Sequence, residues 1–204
     1  MADDEGGGVE ALRDCVALML AQGEVRPVRS LPAAALLAVE DGFVAVRRTA
    51  PPARRSVIVD EAAGGAVLLP PAEDEELLGL VPSRVRIISS PALDLLLSGS
   101  EGAHAIWDGL ASALRRREEL IASLSHSRHV DRVREKLLRL ARDYGKVDGR
   151  GVRIDLPLTH ELLAEMVCSA RETVTRAVDE LEREGFVIRE AGGYRLAVDA
   201  QLLV

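Results

Sequence analysis

Aromatic residues are nearly absent: one Trp, two Tyr and two Phe make up 2% of the 204 residues. The cores must then be built from Ala, Leu and Val, and stacking platforms for single-stranded nucleic acid are not expected. Cysteine is equally scarce. Cys15 and Cys168 stand far apart, with no His or Cys at metal-ligand spacing beside either, so neither a disulfide framework nor a four-thiolate cluster fits within one chain. Long apolar runs are missing too. The stretch around Val16 to Leu20 is far shorter than a membrane span, and the acidic start lacks the basic residues of a secretory signal. These absences point to a cytoplasmic chain with no membrane partner. With only four His, no Ser-His-Asp order, metal triad or nucleophile elbow can be assembled, so neither an enzyme nor a metal or cofactor site is expected.

An excess of positive charge is also lacking, since the net charge is −7. The deficit is uneven. Residues 1–125 carry 12 Lys and Arg against 19 Asp and Glu, whereas residues 126–204 carry 14 of each. A neutral second half can still present one basic face, because steering and phosphate contact depend on local charge.

Along the chain, Met1 to Gly8 reads as an acidic, Gly-rich tail, and Val9 to Ala21 as a helix with an apolar stripe. Short β-rich runs follow: Ala35 to Val39, Phe43 to Arg48, Ser56 to Asp60, Ala66 to Leu69 and Arg84 to Ile88. Asp41-Gly42, Pro51-Pro52, Gly64-Gly65 and Pro70-Pro71 punctuate them. This pattern suits a small sandwich or barrel. The acidic run Glu73 to Glu76 reads as a solvated loop, and Gly64-Gly65 as a turn.

Ser98 and Glu101 are spaced as a capping box opening a long helix to about Leu124. Its apolar positions include Ala103, Ile106, Trp107, Leu110, Ala113, Leu114, Leu120, Ile121 and Leu124, interrupted by Arg117. Such a stripe packs either on its own β domain or on a second copy. A short polar hinge, Ser125 to Arg128, leads to a helix from His129 to Asp143 and a hairpin from Lys146 to Leu156.

Leu158 to Glu184 is the most informative stretch. Thr159 can cap a short helix, Glu161 to Val167; after a break at Cys168-Ser169, a second helix runs from Ala170 to Glu184 with Val174, Ala177, Val178 and Leu181 inward. It offers Arg171, Glu172, Thr175 and Arg176 near its N-terminus, where a recognition helix reaches base edges. Arg171 and Arg176 can each present a fork to guanine, and Glu172 can accept from cytosine. Thr159, Ser169 and Thr173 suit phosphate contact. The strands Phe186 to Arg189 and Tyr194 to Val198, around Ala191-Gly192-Gly193, would form a wing. The plainer alternative is a solvated face of intrahelical ion pairs.

Leu158-Thr159, Ala164, Val167, Arg171-Glu172-Thr173-Val174, Arg176, Leu181, Glu184-Gly185 and Ile188 resemble the DNA-binding domain of the CRP/FNR superfamily, named for the cyclic-AMP receptor protein. The resemblance covers roughly Arg128 to Val198. It implies that Arg171, Glu172 and Arg176 read G·C pairs in a two-fold symmetric site. At the turn this chain departs from the family's usual Gly and Ser, having Cys168 and Ala170, so Ser169 is expected to cap one position early.

The resemblance further implies an α+β architecture: an N-terminal β-roll of cyclic-nucleotide-binding type (1–97), a long dimerisation helix (98–125) and a C-terminal winged helix-turn-helix domain (126–204). The implied partners are double-stranded DNA, a second copy of the chain through Ile106, Trp107, Leu110, Leu114, Ile121 and Leu124, and RNA polymerase as a candidate. The small-molecule effector is unknown. Cyclic-nucleotide binders of the family use a Gly-Glu pair and an Arg followed by a small hydroxyl residue; Gly64 to Ile88 has neither, so control by cyclic AMP is not expected. For haem, only His104 and Cys15 are at hand in the first domain, both more simply read as packing or surface. His126 and His129 near the hinge read as surface residues, with coupling to protonation the sharper alternative, and Cys168 reads as a packed small side chain rather than a redox group. A winged-helix protein-interaction module that has lost DNA binding is the competing function.

Overall fold

The computed structural model describes residues 15–50, 55–190 and 192–197. They divide into two compact units, residues 15–49 with 59–118, and residues 50 and 55–58 with 119–190 and 192–197. The expected tail Met1 to Gly8, residues 9–14 of the expected first helix, and Ala191 and Val198 of the expected wing lie outside the described residues.

Among the described residues, the first eight strands are β1 (Val16–Leu20), β2 (Val25–Pro27), β3 (Leu36–Asp41), β4 (Phe43–Ala50), β5 (Arg55–Ala63), β6 (Val67–Leu68), β7 (Glu75–Gly79) and β8 (Ser83–Ile88). They form two four-stranded sheets, ordered β1-β8-β3-β6 and β2-β7-β4-β5. Alternation explains the interior, because every second side chain along a strand points to the same face. Leu37 and Val39 on β3, Val44 and Val46 on β4, Leu77 on β7 and Val85 and Ile87 on β8 meet in one buried cluster.

Two sequence expectations change here. Residues 16–20, expected within a helix, are β1, paired antiparallel with β8 so that Leu18 lies opposite Val85. Five aliphatic residues fit either period, and the free edge of β8 decides the outcome. The acidic run is not a loop throughout. Glu75 and Glu76 open β7 opposite Arg48 and Arg47, and each makes an ion pair with its neighbour, at 2.8 and 2.9 Å. Gly64-Gly65 is a turn, as read, with Gly65 at a φ of 87°.

Two helices follow, α1 (Ser90–Ser98) and α2 (Ser100–Ser123). The expected capping box does not form: Ser98 is the last residue of α1, and its hydroxyl donates to the Leu95 carbonyl at 2.7 Å. One face of α2 packs on its own sheet. Ile106 is buried beside Cys15, Leu36, Ile88 and Leu96, with Leu110 partly buried against them. Gly109 allows the close approach, since a Cβ there would stand 2.7 Å from Val67 Cγ2. A helical Gly costs about 1 kcal/mol relative to Ala, a cost the contact offsets.

Below Gly109 the attachment becomes ionic. Asp60 on β5 has no exposed side-chain surface and receives Nε–H of Arg116 at 3.3 Å and Nε–H of Arg117 at 3.2 Å. Arg116 also donates to the Val67 carbonyl at 2.6 Å. Arg117, which interrupts the apolar stripe, is thus part of the helix's anchorage.

The second unit contains α3 (His129–Tyr144), β9 (Gly145–Asp148), β10 (Gly151–Ile154), α4 (His160–Met166), α5 (Arg171–Arg183), β11 (Val187–Glu190) and β12 (Gly193–Leu196). Its sheet order is β11-β12-β10-β9. Val133, Leu137 and Leu140 on α3, Leu163 and Met166 on α4, and Val174, Val178 and Leu181 on α5 are buried. A single cation staples the sheet: Arg195 on β12 is buried and donates to both oxygens of Asp148, each at 2.6 Å, and to Glu190 at 2.6 and 3.1 Å. Both carboxylates are held below their ordinary range, Asp148 chiefly by the Arg150 backbone N–H and then by Arg195, and Glu190 chiefly by Arg195.

Removing Asp60 leaves two partly buried guanidinium groups without their acceptor. Asp60→Ala should cost about 3 kcal/mol, the low end of the range for a broken buried pair because both arginines keep a path to water. Urea unfolding checks this; a midpoint unchanged from wild type would show that the pair adds nothing to stability. For the staple, folded-state carboxylate values below those of the unfolded chain give stability that is whole above the unfolded range and lost as pH falls through the folded values. Arg195→Gln should therefore lower hydrogen-exchange protection of the β10 and β12 amides most above about pH 5, with the difference shrinking towards about pH 3. A difference independent of pH would assign Arg195 a packing role only.

Candidate nucleic-acid interface

The turn between α4 and α5 sets the geometry of the site. Thr159 caps α4, its Oγ1 accepting from Leu162 N–H at 3.1 Å. The helix ends at Val167, and Ser169 N–H then returns to the Ala164 carbonyl at 3.0 Å. This closure requires a left-handed residue between them, and Cys168 supplies it with a φ of 50°. A side chain in that region costs about 1 kcal/mol, which is why Gly is the usual occupant.

Ser169 does not cap α5, contrary to expectation. Ala170 holds the N-cap position without a side-chain bond, and Ser169 Oγ instead meets Nδ1 of His129 at 3.1 Å. His129 is therefore tied to the turn, and His126 lies 2.9 Å from Glu135. Cys168 is exposed, yet desolvation pushes its thiol pKa up against the opposing effect of Arg132 and Lys136. A thiol so held stays protonated and weakly nucleophilic. Of the haem candidates, Cys15 is buried in the apolar cluster beneath α2, and His104 meets the Ser100 carbonyl at 2.6 Å. Among the described residues, no group of three or more His, Cys, Asp or Glu is placed to hold a metal, and no helix is long and apolar enough to cross a membrane.

Helix α5 buries Val174, Ala177, Val178 and Leu181 and turns Arg171, Glu172 and Arg176 to solvent. None of these three makes an ion pair or side-chain hydrogen bond among the described residues, so the intrahelical pairing considered above does not occur. The acids farther along α5 are all engaged. Glu180 pairs with Arg128 at 2.5 Å, Glu184 with Arg134, Asp179 with Arg189, and Glu182 lies 3.6 Å from Arg189. Pairing those acids leaves Arg171 and Arg176, with Glu172 between them, to set the field at the N-terminal end. The N-terminal end of α5 then carries two arginines against one glutamate, a local excess of positive charge in a domain that is neutral overall.

Thr175 departs from its expected exposure. It is half-buried, its hydroxyl donates to the Arg171 carbonyl at 3.0 Å, and its oxygen lies 2.9 Å from Nδ1 of His160. Thr173 is half-buried, while Thr159 is exposed. His160 and Arg189 are the residues that sequence reasoning missed. With Thr159, Glu190, Gly192 and Tyr194 they line a cleft between the start of α4 and the β11–β12 wing. Burial, followed by the charge of Arg189, pushes the His160 pKa down. No local signal marks His160, because its partner lies 15 residues away on another helix.

Residues 131–202 match a model described as the Crp-like helix-turn-helix domain. The chain is 42% identical over 80 residues to a global nitrogen regulator of Synechocystis, covering 39% of this chain and 35% of that protein. It is 35% identical over 94 residues to a CRP-like cAMP-activated global transcriptional regulator of Mycobacterium tuberculosis, covering 46% and 42%. The chain thus spans less than half the length of these relatives. Solved structures extend the likeness to over nine tenths of the chain at the level of fold. A CRP-family transcriptional regulator from Thermus thermophilus superposes with a TM-score of 0.74 at 23% identity, covering 91% of this chain and 94% of its own. The c-di-GMP responsive global regulator of Xanthomonas campestris does so with 0.74 at 18% identity, covering 95% and 99%. Residues 131–202 thus match the Crp-like helix-turn-helix domain, and over about nine tenths of its length the chain has a fold similar to that of CRP/FNR-family regulators.

Proposed function

We propose that this protein is a cytoplasmic, homodimeric transcription regulator that binds a near-palindromic DNA site through α5 and is not controlled by cyclic AMP. The observation that carries the reading is the exposed, unpaired set Arg171, Glu172 and Arg176 at the start of the second helix of a Crp-like helix-turn-helix. Inserted in a major groove, the two guanidinium groups read guanine O6 and N7, and Glu172 accepts from cytosine N4. Thr159, Ser169 and Thr173 contact phosphate. The Thr159 oxygen is engaged as a cap, but its hydroxyl hydrogen remains free to donate to a phosphate oxygen.

The outer face of α2 supports dimerisation. Trp107, Leu114 and Ile121, spaced seven residues apart, are 72%, 55% and 69% exposed, and Leu124 is also exposed. A heptad stripe of large apolar residues left in water fits the seam of a two-helix coil. Ile106 and Leu110 were expected in the same seam. Ile106 is buried within its own unit and Leu110 partly so, which leaves the outer residues to a partner copy. Two recognition helices related by a two-fold axis require half-sites about one DNA turn apart.

Independence from cyclic AMP is supported by the missing Gly-Glu and Arg-Ser or Arg-Thr pairs between Gly64 and Ile88. The Mycobacterium relative is called cAMP-activated and the Xanthomonas neighbour c-di-GMP responsive; neither effector is assigned to this chain. RNA polymerase completes the set of partners.

The test is selection of duplexes from a random DNA pool by the purified protein without added ligand, followed by titration at two salt concentrations. A G·C-containing palindrome whose affinity falls steeply with salt is the expected result; no enrichment would defeat the proposal. Arg171→Ala should cost about 1–3 kcal/mol and relax preference at one base pair of each half-site. Thr159→Ala should weaken all duplexes alike. Equal loss on every sequence from the Arg171 change would remove it as a base reader. Replacing Leu114 and Ile121 together by Glu should yield monomers in sedimentation and abolish tight operator binding. A variant that stays dimeric would place the seam elsewhere.

A further inference from the structure

The Thr175 hydroxyl has one hydrogen, and it is given to the Arg171 carbonyl at 3.0 Å. Its contact with Nδ1 of His160, at 2.9 Å, can then be made only if the ring nitrogen donates, so His160 carries its proton on Nδ1. The result is a chain of two hydrogen bonds running from the first residue of α4, through Thr175, to the backbone of the first residue of α5. A Thr that bonds back one turn tilts the carbonyl it holds and bends the helix locally. Here that carbonyl belongs to the residue best placed to read a base.

We infer that His160 and Thr175 form a positioning pair for base recognition: the ring holds the Thr175 hydroxyl on the Arg171 carbonyl, fixing the angle at which Arg171 leaves the helix, while Thr175 itself reads no base. The inference rests on the DNA-reading proposal above. It gives α4 a second task besides packing. The groups facing the ring are Arg189 and Glu190 of the wing, with Arg171 and Asp179 of α5. Nε2 of His160 has no hydrogen-bond partner among the described residues. Protonation of the ring therefore adds a proton at Nε2 and leaves the Nδ1 donor in place.

The duplex selection is repeated with the full-length protein carrying Thr175→Val, Thr175→Ser, His160→Leu or His160→Asn, with thermal melting as a folding control. The base pair read by Arg171 is the one at which Arg171→Ala loses preference. Asn at position 160 can present an amide N–H near the place of the ring Nδ1–H, and Ser at 175 keeps the hydroxyl. Thr175→Val and His160→Leu should each lower preference at that base pair about tenfold, a loss of the size of one poorly aimed bidentate contact, with other positions little changed. Thr175→Ser and His160→Asn should restore it to within about twofold of wild type. Wild-type preference should also stay constant between about pH 8 and pH 6, because the donor to Thr175 survives protonation. Motifs identical to wild type in both the Val and Leu variants overturn the inference, as does an equal loss at every position, which would mark a purely structural role. Preference that collapses in acid would show Nδ1 accepting rather than donating and overturn it as well. If the wild-type protein enriches no motif, the DNA-reading proposal fails first and this inference falls with it.

Discussion

The recognition surface depends on one backbone conformation, the left-handed turn at Cys168. With that residue at positive φ, the amide of Ser169 can return to the Ala164 carbonyl, and α4 is closed within a single residue. The chain then leaves at an angle that lets α5 bury Val174, Val178 and Leu181 while its first turn projects. A gentler exit would extend the loop and separate the two helices. The strain of about 1 kcal/mol in seating a Cys where Gly is at ease is small beside the burial of three aliphatic side chains at about 1.5–3 kcal/mol each.

Charge is organised around that projecting turn. A neutral domain can carry a basic face where nearby acids are paired, and here Asp179, Glu180 and Glu182 on α5 and Glu184 at its C-cap each face an Arg from α3, its N-cap or the wing. Exposed pairs of this kind contribute little stability individually. Their larger effect is on the field, because they cancel the negative end of the recognition helix and orient Arg189 beside the cleft. Arg195, buried between Asp148 and Glu190, does the opposite work. It ties β12 to Glu190 on β11 and to Asp148 at the end of β9, and presents no charge to solvent.

The first unit shows how a chain short of aromatic residues secures a long helix. Aliphatic burial under Ile106 and the close approach at Gly109 are followed by ionic anchorage of Arg116 and Arg117 on a buried carboxylate. These contacts use one side of α2. The other side keeps Trp107, Leu114 and Ile121 in water, and it is this face that the proposal assigns to a second copy.

Local patterning determined much of this protein. Helical and strand periods, the Thr159 cap, the break at Cys168-Ser169 and the order helix, turn, helix, wing were legible because each depends on residues within a few positions of one another. β1 was not, since five aliphatic residues satisfy both periods and only the edge of β8 selects the strand. The pairing of Glu75 and Glu76 was hidden for the same reason, its partners lying on another strand. The residue types in the recognition helix were equally plain, but their duties were not. Only the tertiary structure decided that Thr175 turns inward to His160, that Ser169 serves His129 rather than the helix, and that Arg171, Glu172 and Arg176 stay unpaired. Hydrogen bonds and ion pairs between distant residues depend on where the fold brings them, and sequence spacing holds no record of that distance.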